Sequence, residues 1–385
     1  MRQPDPGPDS GPDPSPNHGP ERRPARRPAP ADPPGPLTRL RQIAARFRAF
    51  FAGLGWGQSP VPARGQVTHV IILDGTMSST QPGQETNAGL TWRLLSEKAP
   101  SARMSLFYEP GIQWEDWRSA ADVAAGRGIN RQIRRAYGFL ASRYRPGDRI
   151  YLFGYSRGAY AVRSLAGVID RVGLLQAENA TERAVREAWR LYENGGTAEE
   201  SAAARAGFRA RLCHPHVEIE MIGVWDTVKA LGLRLPLLWR VSEDAHNFHG
   251  TELSQVVRHG FHALARDETR LAYAPVLWQS DPGWEGRLEQ VWFRGTHGDI
   301  GGQLNGRDEA RPLANVPLVW MLEKAEDCGL DLPEGWRARF PADPTAPSAG
   351  SRRGWGRVFL ARRRRVIGAD PSERLHPSAE ANPHP

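Results

Sequence analysis

From residue 66 onward the sequence predicts an α/β fold: a mostly parallel sheet with helices on both faces and a helical cap inserted into it. Three observations carry this. Short apolar runs alternate with helix-length stretches, the pattern of right-handed βαβ crossovers. The run Tyr151-Leu-Phe-Gly-Tyr-Ser156-Arg-Gly158-Ala reads as a strand, a sharp turn and a helix that begins at once. Four of the apolar runs end on small polar or acidic residues, which a parallel sheet would gather at one edge.

Taken in order, residues 1–36 hold 13 of the 33 prolines, mixed with Gly, Asp and Arg. Such a stretch buries too little apolar surface to fold and is predicted to be a disordered Pro/Arg-rich arm. In 37–54 the residues Leu40, Ile43, Phe47, Phe50, Phe51 and Leu54 recur at three- and four-residue steps, with Arg39, Arg41, Arg46 and Arg48 between them. This predicts a basic amphipathic helix over 37–56, lying on a membrane surface or packed on the domain behind it. Strands are predicted at 67–73, 104–108, 149–153, 217–224 and 288–293. Helices are predicted at about 87–98, 129–144, 157–170, 181–210, 251–266 and 314–328. The Ala/Glu/Arg-rich span 176–212 reads as the cap. The main domain is placed at 66–345, followed by an Arg-rich C-terminal segment, 346–385.

The net charge of +8 belongs to the ends. Residues 1–48 carry nine Arg against five acids, and 351–365 carry seven Arg and no acid, which leaves the remainder at −3. A near-neutral body argues against a nucleic-acid-binding core. Arg-rich tails suit an anionic membrane surface through 37–54 and 352–365, or simply solvent. Two cysteines, Cys213 and Cys328, make no disulfide framework. No stretch is apolar for the ~18–20 residues of a spanning helix. The first apolar cluster begins near Leu37, so no secretory signal is read, and the expectation is cytoplasmic synthesis with any export signal-independent.

Gly154-Tyr-Ser156-Arg-Gly158 is a nucleophile-elbow pattern, in which a tight strand-to-helix turn lifts a serine hydroxyl clear of the sheet. The other three strand ends are Leu73-Asp74-Gly75-Thr76, Gly223-Val-Trp-Asp226-Thr-Val and Trp292-Phe-Arg-Gly-Thr-His297-Gly-Asp299-Ile-Gly-Gly302. Ser156, Asp226 and His297 supply a nucleophile, an acid and a base in the chain order such a hydrolase needs. His297 would take the Ser156 proton, and Asp226 would fix the imidazole tautomer. Asp299 and Asp267 are rivals for the acid. The backbone N–H of Arg157 is the natural first oxyanion donor, with a second from Gly75 or Thr76. Asp74 is read as ordering that turn, Asp299 as steadying the glycine-rich loop. Cys213-His214-Pro-His216, His246-x-x-His249 and His259-x-x-His262 each look like half a metal site, and none completes one. His259 and His262 are expected to share one face of a helix.

Several blocks, in order, resemble an uncharacterised α/β-hydrolase family, domain of unknown function 2235, which includes the catalytic domain of type VI secretion phospholipase effectors. The blocks are Leu73-Asp-Gly-Thr76, Gly154-Tyr-Ser-Arg-Gly-Ala159, Gly223-Val-Trp-Asp-Thr-Val228, His262-Ala-Leu-Ala-Arg-Asp-Glu268, the His297 loop, Pro317-Leu-Val-Trp-Met-Leu-Glu323 and Leu375-His-Pro-Ser378. Together they span roughly 66–380. The first motif departs from the family in continuing as Met77-Ser-Ser, and the His loop has Gly298 where a serine is usual. The resemblance implies an α/β-hydrolase core, a Ser-Asp-His triad on Ser156, Asp226 and His297, and cleavage of carboxylic esters, in characterised relatives phospholipid acyl chains. The expectation is a cofactor-independent serine esterase acting on an ester or phospholipid, with no nucleic acid and no metal, its immunity or secretion partner unspecified. Two alternatives stand beside it. One is a non-catalytic lipid- or protein-binding module on the same fold. The other is a metal-dependent hydrolase built on Asp74, Asp226, His297 and Asp299.

Overall fold

A computed structural model describes residues 64–380, except 80, 100, 102, 112–126, 194–197, 229–252 and 352–359. The arm 1–36, the basic helix at 37–56 and the His246/His249 pair lie outside the described residues. Gly65–Pro385 forms one compact unit.

Its elements run β1 (Thr68–Leu73), α1 (Asn87–Ser96), β2 (Met104–Glu109), α2 (Arg127–Ala141), β3 (Arg149–Tyr155), α3 (Arg157–Arg171), α4 (Glu182–Glu193), α5 (Ala198–Leu212) and β4 (Ile219–Trp225). Then follow β5 (Val257–Ala265), β6 (Arg287–Phe293), α6 (His297–Gly301), α7 (Arg311–Asp327), β7 (Glu373–Leu375) and α8 (Pro377–Glu380). The seven strands form one sheet in the order β2-β1-β3-β4-β5-β6-β7, every neighbouring pair parallel.

The strands are covered on both faces, so alternate side chains feed two cores. Ile71, Leu73, Ile150 and Leu152 face a core shared with α2, α3 and α4. Val70, Ile72, Tyr151, Phe153 and Tyr155 face the other, shared with α1 and α7. The order reverses between β1 and β3. The turn after β1 and the turn after β3 therefore lie side by side at the carboxyl edge, where a doubly wound sheet opens a crevice.

The span 176–212, read from sequence as a cap, contains two helices, α4 and α5. Its base is zipped by Gln176 N–H to Leu212 O at 2.9 Å and His214 N–H to Leu174 O at 2.8 Å. Val185, Ala188, Trp189 and Tyr192 of α4 are buried. Cys213 and Cys328 are buried free thiols.

One predicted element is wrong in kind. The span 251–266 is predicted as a helix, and its run His262-Ala-Leu-Ala-Arg266 is rich in helix formers, yet 257–265 is β5, paired on both sides by β4 and β6. Pairing and burial override so weak a local preference. His259 and His262 do not share a helix face; three residues apart on a strand, they point to opposite sides. The strand β7 and the short α6 carry no predicted element, since three to five residues are too few for a periodicity to register.

Glycine sets how closely β1 approaches α3. A Cβ on Gly158 would lie 2.1 Å from Leu73 O, whereas a Cβ on Gly207, exposed on α5, would meet nothing within 4 Å. Gly158→Ala is expected to cost about 1–3 kcal/mol in denaturant unfolding, while Gly207→Ala gains about 0.5–1 kcal/mol. Equal effects would mean that the β1–α3 approach is not set by this contact.

Candidate active site

At the end of β3 the chain turns so sharply that Ser156 takes φ 57° and ψ −118°, a left-handed backbone that a non-glycine residue adopts only under constraint. Its N–H donates to Trp225 O at 3.0 Å, because Tyr155 stands in register with Trp225 of β4. The same register places Asp226, the residue after β4, next to the turn. Asp226 is itself left-handed, at φ 42°.

His297 opens α6 after β6, two strands further along. Its Nε2 lies 2.9 Å from Ser156 Oγ and its Nδ1 lies 2.5 Å from Asp226 Oδ2. An ionised carboxylate can only accept, so Nδ1 carries the proton and Nε2 presents its lone pair to the serine hydroxyl. Ser156 is 6% exposed, His297 3% and Asp226 0%. Burial lowers the His297 pKa more than Asp226 raises it, which favours the neutral imidazole.

Two aromatic rings touch the imidazole: those of Tyr155 and Tyr273, with centroids 5.0 and 4.8 Å away. Its backbone N–H donates to Glu268 Oε2 at 3.3 Å. Glu268 is buried and ion-paired with Arg270, whose Nη2 is 2.6 Å from Oε2.

The rival acids face elsewhere. Asp299 accepts from Thr296 N–H and Oγ1, Ser348 Oγ and Ala349 N–H at 2.5–2.9 Å, capping α6 and tying it to the loop beyond α7. Asp267 accepts from Gly295 N–H at 2.7 Å and pairs with Arg266.

Asp74 binds its own turn, accepting from Gly75 N–H at 2.6 Å, Thr86 Oγ1 at 2.6 Å and Tyr108 Oη at 2.8 Å. Burial pushes its carboxyl up to about 6 against these bonds. The turn abuts the elbow, since a Cβ on Gly75 would be 3.4 Å from Ser156 Cβ. Gly75 N–H is already given to Asp74. The N–H groups of Thr76 and Arg157 make no hydrogen bond among the described residues. Also among the described residues, no three His, Cys, Asp or Glu side chains are grouped to hold a metal ion. Asp74 and Asp299 are committed to separate loops, away from the Asp226–His297 pair.

His262 supports the site from beneath. Thr227 N–H donates to its Nε2 at 3.1 Å, and its Nδ1 is 3.4 Å from Gln290 Oε1.

Sequence reading missed Tyr155, Tyr273, Glu268, Arg270 and Arg365 as parts of this site. Tyr155 lies in the elbow block and Glu268 in the block His262–Glu268. Nothing local marks Tyr273 or Arg270, and Arg365 falls in the Arg-rich segment expected at a surface. It is turned inward, with a side chain 5% exposed that binds Asp226. Arg362 is spent on Thr269 and Ser351. Arg362 and Arg365 are therefore not part of a free basic surface.

His262 generates a prediction of its own. Burial pushes its imidazole down to about 3 from the ordinary 6.5. The unfolded chain then binds the extra proton below pH 6.5, so the stability that neutral His262 contributes is full above 6.5 and lost as pH falls toward 3. His262→Gln should lower stability near neutral pH and flatten its decline below 6.5. An unchanged slope would mean that His262 titrates alike in both states.

Residues 68–324 match the model of the catalytic domain of type VI secretion system Tle1-like phospholipase effectors. An uncharacterized protein of Saccharomyces cerevisiae, YEL023C, is 30% identical over 223 residues, 52% of this chain and 31% of that protein. Among solved structures, an uncharacterized protein from Pseudomonas aeruginosa aligns at 15% identity and TM-score 0.40, covering 82% of this chain and 54% of that one. A Tle1 effector bound to the VgrG spike of the type 6 secretion system aligns at 18% identity and TM-score 0.32, covering 63% and 52%. The chain thus spans between about a third and about half of the length of these relatives. The family match takes in about two-thirds of the chain, from β1 into α7 and including Ser156, Asp226 and His297, and the chain belongs to the family of Tle1-like phospholipase effector catalytic domains.

Proposed function

We propose that this chain is a serine hydrolase that cleaves phospholipid acyl esters through Ser156, His297 and Asp226. The observation that carries the reading is the continuous line Asp226 Oδ2–His297 Nδ1 and His297 Nε2–Ser156 Oγ, set on a strained elbow at the sheet's carboxyl edge. The family match supports a phospholipid as the ester.

The chemistry follows from the proton positions. As Ser156 Oγ attacks the ester carbonyl carbon, its proton passes to His297 Nε2 and the carbonyl oxygen takes up the negative charge. Asp226 stabilises the imidazolium through Nδ1–H. The N–H of Arg157, next in the chain to the serine, and that of Thr76, on the turn that abuts the elbow, make no hydrogen bond among the described residues and are the donors offered to that oxyanion. Collapse of the tetrahedral intermediate expels the lysolipid alkoxide, which takes the proton from Nε2 and leaves an acyl-Ser156. Water, deprotonated by the same imidazole, then releases the fatty acid. Neither half-reaction needs a cofactor.

Fluorophosphonate labelling located by peptide mass is expected at Ser156 in the wild type and nowhere in Ser156→Ala. Unaltered labelling in the variant would remove the serine from its role. On phospholipid vesicles the wild type should release fatty acid and lysolipid. Asp226→Asn, which leaves the buried Arg365 without its carboxylate, should be less stable by about 3–5 kcal/mol, and its folded fraction should lose about 10³–10⁴-fold in turnover, because the amide favours the wrong imidazole tautomer. Turnover within a few-fold of wild type would reject Asp226 as the acid.

A further inference from the structure

Asp226 is fully buried, and with His297 neutral its counter-charge must come from elsewhere. It comes from Arg365, forty-one residues beyond the family match. Arg365 Nη1 donates to Asp226 Oδ1 at 2.5 Å and Nη2 to Oδ2 at 2.9 Å. The same nitrogens donate to Ala265 O at 2.8 Å and Tyr273 O at 2.6 Å. With Ala265 N–H on Oδ1 at 3.0 Å and His297 on Oδ2, both carboxylate oxygens are doubly engaged.

The segment that delivers Arg365 is stitched along the residues after β5. Leu271 N–H donates to Ala361 O at 3.0 Å and Arg363 N–H to Thr269 O at 2.7 Å. Downstream, β7 pairs with β6, and His376 N–H donates to Trp292 O at 2.9 Å. The guanidinium is thus anchored on both sides.

We propose that Arg365 is a positioning residue of this site, a two-armed clamp on Asp226 that fixes both the orientation and the net charge that His297 meets. The proposal rests on the reading of Ser156, His297 and Asp226 as one relay. The groups facing the imidazole are Ser156 and Tyr155 from β3 and its turn, Asp226 after β4, and Glu268, Arg270 and Tyr273 after β5. Asp299, on its own helix, is turned toward Thr296, Ser348 and Ala349. Two of these groups are carboxylates in contact with His297, and each is cancelled by an arginine: Glu268 by Arg270 and Asp226 by Arg365. Burial alone would raise the Asp226 carboxyl; the Arg365 charge and the His297 bond outweigh it and hold it well below the usual range. Without Arg365 an uncompensated carboxylate would draw a proton onto His297 and disarm it as a base over a wider acid range.

The test uses the full chain and its variants Arg365→Gln and Arg365→Lys, with Arg364→Gln, an exposed neighbour, as control. The His297 imidazole is titrated by NMR, its signal assigned by its loss in His297→Gln, and the rate of Ser156 labelling by a fluorophosphonate is followed against pH. Arg365→Gln should raise the His297 midpoint by about one pH unit or more. The acid limb of labelling should move with it, and the plateau rate should fall at least about tenfold. Arg365→Lys should restore the midpoint but not the plateau, since a point charge cannot hold two oxygens in a fixed fork. A folded Arg365→Gln with the wild-type midpoint would overturn the proposal. Should Arg365→Gln not fold, the double variant Arg365→Gln/Asp226→Asn decides: recovery of folding supports the charge pairing, and continued failure marks Arg365 as scaffold only. The titration needs no turnover. A wild type that is not labelled, but whose His297 midpoint still moves on losing Arg365, would reject the hydrolase reading and leave the clamp standing.

Discussion

A carboxylate sealed from water beside an imidazole needs a compensating charge, and much of the architecture around Asp226 answers that need. Removing one partner of a buried ion pair typically costs about 3–5 kcal/mol, because the remaining charge has nowhere to go. Asp226 is met by an arginine from the far C-terminal region, by a backbone N–H of β5 and by the imidazole itself. The closing strand β7 belongs to the same solution, since it anchors the chain that carries Arg365.

The sheet supplies the rest. With every strand parallel, the carboxyl ends share one edge, and the order reversal between β1 and β3 sets the Asp74 turn against the Ser156 turn. Register does the fine positioning. Tyr155 opposite Trp225 makes Ser156 and Asp226 neighbours, and β5 and β6 hold the loop from which His297 reaches back. The backbone is strained where it changes direction, at Ser156 and again at Asp226, and both bends are fastened by bonds to adjacent strands: Ser156 N–H to Trp225 O and Asp226 N–H to Ala263 O. Strain held in this way preorganises side chains that would otherwise turn to solvent.

The electrostatics of the pocket are balanced. Two acids touch His297, yet its pKa lies below the ordinary imidazole value, because burial of the ring outweighs their pull and the Arg270 charge acts in the same direction. A neutral, buried, single-tautomer imidazole is the starting state that a general base requires. Asp74 illustrates the opposite case: a buried carboxyl with hydrogen bonds but no cation, pushed up rather than down.

The sequence by itself determined the α/β class, five of the seven strands, and Ser156, Asp226 and His297 as residues at strand ends. These are legible because apolar runs, an elbow flanked by glycines and a polar residue after a strand are local patterns. It also put Asp226 first as the acid, with Asp299 and Asp267 as rivals. What it could not convey depends on partners distant in the chain. β5 is a strand because β4 and β6 bond it on both sides, against its own composition. Gly75 N–H is taken up by Asp74, which curls back onto it. Arg365 looks like any other member of an Arg cluster until folding carries it across 139 residues of sequence separation to the carboxylate. Charge compensation in a dry interior is settled by proximity in space, and only the tertiary structure decides which arginine supplies it.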